Sequence, residues 1–191
     1  MSMTTIILLN GVGSAGKSSI AKALQSIAKQ PFLHVEMDSF LEMMPVKYLD
    51  HPDGLSFEPH VGQDGIATSV KIGKVAGCVL NGMPRAVAAL ASSSNNLIVD
   101  EVIFGNKNNR SSNPLAEYQT LLEPYNFLLV GVFAELEVLE RRKLDRGNRA
   151  IGLSRWQYER VHEKMNYDFS VHTDILSPLE CAQQIRAKFN L

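Results

Sequence analysis

The sequence predicts an α/β protein, a parallel β-sheet with helices packed on both of its faces. Three observations carry this. Residues Thr5 to Leu9 form an apolar, β-branched run that enters a glycine-rich turn and then an apolar stripe of helical period. Strand-like and helix-like segments alternate along the rest of the chain, which calls for crossover connections and parallel pairing. Phe127 to Phe133 is almost wholly apolar, the composition of a strand covered on both sides.

Taken in order, the first strand is Thr5 to Leu9. Beyond the turn, Ile20, Ala21, Leu24, Ile27 and Ala28 share one helical face, predicting a helix over 17–29. Phe32 to Met37 is the second strand, with Asp38 at its C-terminal end and a short helix from Ser39 to Met44. The stretch 47–73 breaks the alternation. It holds Pro52-Asp53-Gly54, Pro59 and Gly62 between two short alternating pieces, and reads as a loop or hairpin inserted near the carboxyl ends of the strands. A helix over 74–92 should break near Gly82-Met83-Pro84, because proline removes a donor and clashes with the preceding turn. Asn96 to Val99 is the third strand and ends in Asp100-Glu101, Phe127 to Phe133 is the fourth and Phe169 to Thr173 the fifth. Helices are predicted over 114–123, 135–145, 154–165 and 178–189.

With 191 residues the chain reads as one domain over 1–191, bearing the 47–73 insertion and a lid over 141–152. A formal net charge of −1 offers no electrostatic argument for nucleic acid or an anionic membrane. No window approaches the ~18 apolar residues needed to span a bilayer, and no leader pattern precedes the first strand. Cys78 and Cys181 have no metal-ligand spacing and read as free buried thiols, which points to a reducing compartment, the cytoplasm. Nothing in the sequence specifies an oligomeric state.

The glycine-rich turn carries the most specific signal. Gly11, Gly16, Lys17 and Ser18 satisfy G-x-x-x-x-G-K-[ST], with a strand before and a helix after. That context aims backbone N–H groups and the positive end of a helix dipole at one point, where a phosphate chain can sit. The expected nucleotide-binding residues are Gly11, Val12, Gly13, Ser14, Ala15, Gly16, Lys17, Ser18 and Ser19. Lys17 would hold the β- and γ-phosphates, and the Ser18 hydroxyl would take a place on Mg²⁺.

Asp38, at the rim where the phosphate loop lies, can accept the proton of a substrate hydroxyl and aim its oxygen at a γ-phosphate. An Asp before a helical run also serves as an N-cap, so both readings stand. Asp100 is placed to hold Mg²⁺ or its waters, and Glu101 to share that work or bond the substrate. The run Arg141 to Arg149 closes one helix and leads through Gly147 and Gly152 into the next. It reads as a lid bringing Arg142, Arg146 and Arg149 over the transferring phosphoryl group; a solvated helix end is the plainer reading. The five histidines show no metal-ligand spacing; His162, on a helix after the lid, could reach the site, with a structural role the plainer reading. The acceptor pocket should be bounded by Asp38, Phe40, Met44, the 47–73 insertion and Phe104, a mix of Met and Phe suited to an apolar or aromatic acceptor. The same side chains would equally serve to pack the insertion onto the sheet.

These residues together resemble the chloramphenicol phosphotransferases, small P-loop kinases that phosphorylate a hydroxyl of that antibiotic. The matching pieces are Ile7 to Gly11 with Ser14 to Ser18, Asp38-Ser39 with Glu42 and Met44-Pro45, and Ile98 to Val102. They continue through Val130-Gly131-Val132, Arg142, Arg146-Gly147, Arg149, Gly152, Val161-His162-Glu163 and Tyr167-Asp168. The chain departs at Val12 and Gly13, variable positions of the phosphate-loop pattern, and the 47–73 region contributes no matching piece. The resemblance implies a P-loop NTPase fold of the nucleoside-monophosphate-kinase kind with a five-stranded parallel sheet. It also implies ATP with Mg²⁺ as donor, Asp38 as the group that activates the acceptor, and a small-molecule alcohol as that acceptor. Two other readings remain: a sugar-nucleotide kinase like the zeta-type toxins, and a nucleotide-binding regulatory protein that transfers nothing.

Overall fold

The computed structural model describes residues 3–62, 65–104, 113–147 and 152–191. Five strands, β1 (Thr5–Asn10), β2 (Phe32–Glu36), β5 (Asn96–Glu101), β6 (Asn126–Phe133) and β7 (Phe169–His172), form one sheet in the order β2-β5-β1-β6-β7. Every pairing in it is parallel. Helices α1 (Lys17–Ile27), α2 (Met37–Glu42), α3 (Lys74–Ser92), α4 (Pro114–Leu121), α5 (Leu136–Arg146), α6 (Leu153–Val161) and α7 (Pro178–Phe189) connect and cover the strands.

The central strand shows why a continuous apolar run was needed. Successive side chains of β1 point to opposite faces. Ile7 and Leu9 join Ile20, Leu24 and Ile185 in one core, while Ile6 and Leu8 join Met83, Val87 and Leu97 in the other. All four β1 residues are fully buried, each worth about 2–3 kcal/mol of apolar burial. On α1 the buried positions Lys17, Ile20, Ala21 and Leu24 form the expected stripe, except that its first member is a lysine.

The region 47–73 holds a 3₁₀ turn (Val46–Tyr48) and the antiparallel hairpin β3 (Leu55–Gly62) and β4 (Gly65–Ile72), which makes a separate two-stranded sheet. The hairpin docks on α6. Thr68 N–H donates to Gly152 O at 3.1 Å, and Ala67 packs with Leu153 and Trp156. Gly152 permits this approach: its φ is +81°, and a Cβ there would lie 2.4 Å from Ile66 O.

Several expectations are corrected. Pro84 does not break the long helix; α3 runs unbroken from Lys74 to Ser92 with Met83, Pro84 and Val87 buried. Packing against the sheet outweighs the lost N–H, and Arg85 Nη1 donates to the Asn81 carbonyl at 2.7 Å. This helix is also long and apolar enough, by length and composition, to cross a bilayer, contrary to the sequence expectation. Met83, Val87 and Ala91 bury one side of it in the core with the sheet. Cys78, on the opposite side of the same helix, is exposed, whereas Cys181 is buried; both are free. Finally, α6 stops at Val161, short of the expected 165, and Lys164 beyond it has a φ of +55°.

Candidate active site

At the carboxyl end of β1 the buried Asn10 anchors three segments. Its amide donates to Ile103 O, Val161 O and Tyr167 Oη, and its carbonyl accepts Ile103 N–H at 2.7 Å. The loop that follows curls under β6. A Cβ on Gly11 would lie 2.4 Å from Val132 O, so this glycine admits the neighbouring strand rather than a ligand. Val12 and Ala15 are buried in the core beneath the loop, and Ser19 is exposed on the first turn of α1. Gly13, Ser14, Gly16, Lys17 and Ser18 line a cleft of about 220 Å³ that opens at the N-terminus of α1.

Lys17 is buried. Its ammonium donates to Gly11 O and Val12 O at 3.0 and 3.1 Å and lies 3.5 Å from Asp100 Oδ1. Ser18 Oγ donates to Asp100 Oδ2 at 2.7 Å. The lysine, the serine and the strand-end carboxylate are therefore one constellation. The Ser14 hydroxyl is buried with no hydrogen-bond partner among the described residues, an orphan that an anion in the cleft would satisfy. The donor set fits a phosphate chain, and the oxygens of Ser18 and Asp100 fit a hard cation such as Mg²⁺.

Two further residues join this cluster. His34 and Glu36 share a face of β2 by the strand period, and Glu36 stands in register with Asp100. Ligand atoms of His34, Glu36 and Asp100 lie within 4.8 Å of one another. Burial holds the His34 imidazole below its ordinary pKa despite the nearby Glu36 and Asp100, and its Nε2 has no hydrogen-bond partner among the described residues. Histidine spacing alone could not reveal this group, because the carboxylates complete it.

Asp38 lies one residue inside α2, whose cap position is Glu36, so it is not the N-cap. It lines the phosphate cleft and also a neighbouring cavity of about 740 Å³. That cavity is mostly apolar, walled by Met44, Leu55, Phe57, Ile72, Phe104 and Leu153 among others. Met44 and Phe104 both line this cavity, Phe104 edge-on to Trp156 with ring centroids 5.2 Å apart. Phe40 does not. On α2 the cavity face carries Met37, Asp38, Leu41 and Glu42, and Phe40 instead packs against the core cluster that includes Val35 and Met83. Glu101 also lies elsewhere: fully buried, it accepts from Tyr118 Oη at 3.3 Å and lines neither cavity. Adjacent residues on a strand face opposite sides of the sheet, so Asp100 and Glu101 cannot share a site there.

The lid arginines divide. Arg142 donates to Thr173 Oγ1 at 2.9 Å and Thr173 O at 2.6 Å, and Thr173 Oγ1 in turn donates to Ala15 O. It buttresses the back of the phosphate loop and does not line the cleft. Arg149 lies outside the described residues, as does the Arg146 side chain.

His162 stacks on Phe133 with centroids 3.8 Å apart and lies 2.7 Å from Tyr167 Oη. Burial, with the Lys17 charge, holds its pKa down at about 4, and burial pushes the Tyr167 hydroxyl up to about 12. The native state therefore keeps a neutral imidazole that the unfolded chain protonates below about 6.5. Stability should fall as pH drops from 6.5 through 4. Denaturant unfolding of wild type and His162→Gln at pH 7 and 4.5 checks this; identical pH dependence would refute it.

Gln157 was not anticipated. Its Oε1 accepts Gly13 N–H at 2.9 Å, and it lines the apolar cavity. The signal was a polar residue on the buried stripe of Leu153, Trp156 and Val161.

The fold is that of the P-loop kinases. A sugar kinase of a Janibacter species shares 14% identity at a TM-score of 0.65, with 98% of this chain and 95% of that one covered. The APS kinase of Mycobacterium tuberculosis, solved with AMPPNP and APS, matches at 14% identity and a TM-score of 0.65 over all of both chains. The model of the chloramphenicol phosphotransferase-like proteins matches residues 4–190, and the chain belongs to that family. A Mycobacterium tuberculosis protein named "putative O-phosphotransferase" is 29% identical over 189 residues, 96% of this chain and 81% of the relative.

Proposed function

We propose that the protein transfers the γ-phosphoryl group of ATP to a hydroxyl of a small molecule that has an apolar body and no negative charge. One observation carries this: Asp38 lines both the phosphate cleft and the apolar cavity, so a hydroxyl in the cavity can meet a phosphate in the cleft at its carboxylate. The acceptor oxygen attacks phosphorus, its proton passes to Asp38, the bond from phosphorus to the β-phosphate oxygen breaks, and ADP leaves. Lys17 and the loop N–H groups hold the phosphates in line. Ser18 and Asp100 would hold Mg²⁺, which draws charge from the transferring group. Family membership and the name of the mycobacterial relative support an O-phosphotransferase.

The cavity supports the acceptor class. Among its described lining residues there is no lysine, arginine or histidine, while Asp38, Glu42 and Asp50 are acidic. An anionic acceptor such as a sugar nucleotide would meet no counter-charge among the described lining residues, which weighs against the zeta-toxin-like reading. An acceptor screen with labelled ATP tests the proposal, beginning with chloramphenicol and including gluconate, shikimate and UDP-sugars. Label is expected on neutral alcohols with apolar bodies; transfer only to anionic acceptors would overturn the assignment, and no transfer to any would favour a nucleotide binder.

A further inference from the structure

The side chain of Gln157 connects the two cavities, and its two ends are used unequally. It projects from α6 and is 8% exposed. Its carbonyl oxygen is committed to Gly13 N–H, which lies in the phosphate loop. That assignment of the amide is forced, because an N–H needs an acceptor. Its two N–H donors have no partner among the described residues, although they stand beside a mostly apolar cavity. Gln157 Nε2 is not one of the buried unpartnered atoms, so solvent reaches these donors and they stay available to a ligand that enters the junction.

What accepts is set by position. Gly13 and Asp38 line the phosphate cleft, and Gln157 and Asp38 line the cavity. These three residues therefore surround the junction, whereas Gly16, Lys17 and Ser18 lie at the α1 end of the cleft. A nucleotide whose inner phosphates rest on the α1 N-terminus reaches that junction with its terminal phosphate alone. The backbone holds Gln157 in place: α6 is fastened to the hairpin through Gly152 and Thr68, and to α5 by an Arg155–Glu140 ion pair at 2.8 Å.

We propose that Gln157 contacts the terminal phosphate of a bound nucleoside triphosphate and so distinguishes the triphosphate from the diphosphate. Resting on the phosphate-donor reading above, the contact needs no acceptor substrate to be observed. A neutral carboxamide suits it: it donates to the phosphoryl oxygens and adds no charge to the junction when only a diphosphate is bound.

Calorimetric titration of the full chain with Mg·AMPPNP and with Mg·ADP tests this. Gln157→Ala should weaken AMPPNP about tenfold or more and leave ADP within about twofold, the loss of a hydrogen bond to a charged group. Gln157→Glu retains an oxygen for Gly13 but removes the donors, so it should lose AMPPNP at least as severely while keeping the loop fastened. Equal weakening of both nucleotides would mean Gln157 only props the loop, and unchanged affinity for both would mean it touches neither; either overturns the proposal. Wild-type protein that bound neither nucleotide would remove the phosphate-donor reading and this contact together.

Discussion

Asp38→Asn is expected to lower turnover of the acceptor roughly 10²–10⁴-fold with little change in ATP affinity. In transition-state terms that is about 3–5 kcal/mol. The amide is nearly isosteric and retains an oxygen in the first turn of α2, so the helix and the walls of both cavities should survive. What it lacks is the ability to take a proton from the acceptor hydroxyl. Steady-state kinetics with an acceptor from the screen, beside nucleotide titration of the same variant, checks both halves. A folded variant with normal turnover would leave Asp38 a spectator between the two cavities.

Lys17→Ala should cost about 10²–10³-fold in turnover, the usual loss when a charge aimed at the transition state is removed. Here the lysine also has structural partners: it donates to the carbonyls of Gly11 and Val12 and neutralises Asp100 from 3.5 Å. Removing one partner of a buried ion pair is ordinarily severe. Asp100 keeps the Ser18 hydroxyl at 2.7 Å, so its charge is not stranded and the fold should persist at a lower melting temperature. Circular dichroism separates the effects. A folded Lys17→Ala protein with wild-type turnover would remove the phosphate loop from the reaction.

The parts of this molecule that were legible in its sequence are those set by local pattern. The β1 run, the glycine turn and the α1 stripe are contiguous, and each link follows from covalent geometry and burial. The long helix departs from expectation at Pro84 because the rule for proline is local, whereas its neighbours Met83 and Val87 are held in a core built on a sheet assembled from distant segments. Glu101 was paired with Asp100 because they are neighbours in the chain. The strand period, applied strictly, already sends them to opposite faces, where Tyr118 of α4 receives one and Ser18 of α1 the other. Phe40 fails by the same logic on a helix. Arg142 could not be placed without knowing that Thr173 follows β7 beside the loop, a contact across 31 positions. Gln157 needed more still: its stripe was readable, but its partner Gly13 lies 144 positions away.

The hairpin β3–β4 forms a sheet of its own, apart from the five strands that present the phosphate loop. Leu55, Phe57, Val70 and Ile72 face the apolar cavity from that hairpin, and none of them takes part in the register that aligns β1, β5 and β6. The two jobs of the site thus answer to different parts of the sequence. On the proposed function, exchanging Leu55, Phe57 and Ile72 would reshape what the cavity admits while the donor machinery keeps its alignment, so a lineage carrying this scaffold could change clients by a few substitutions without reinventing its chemistry.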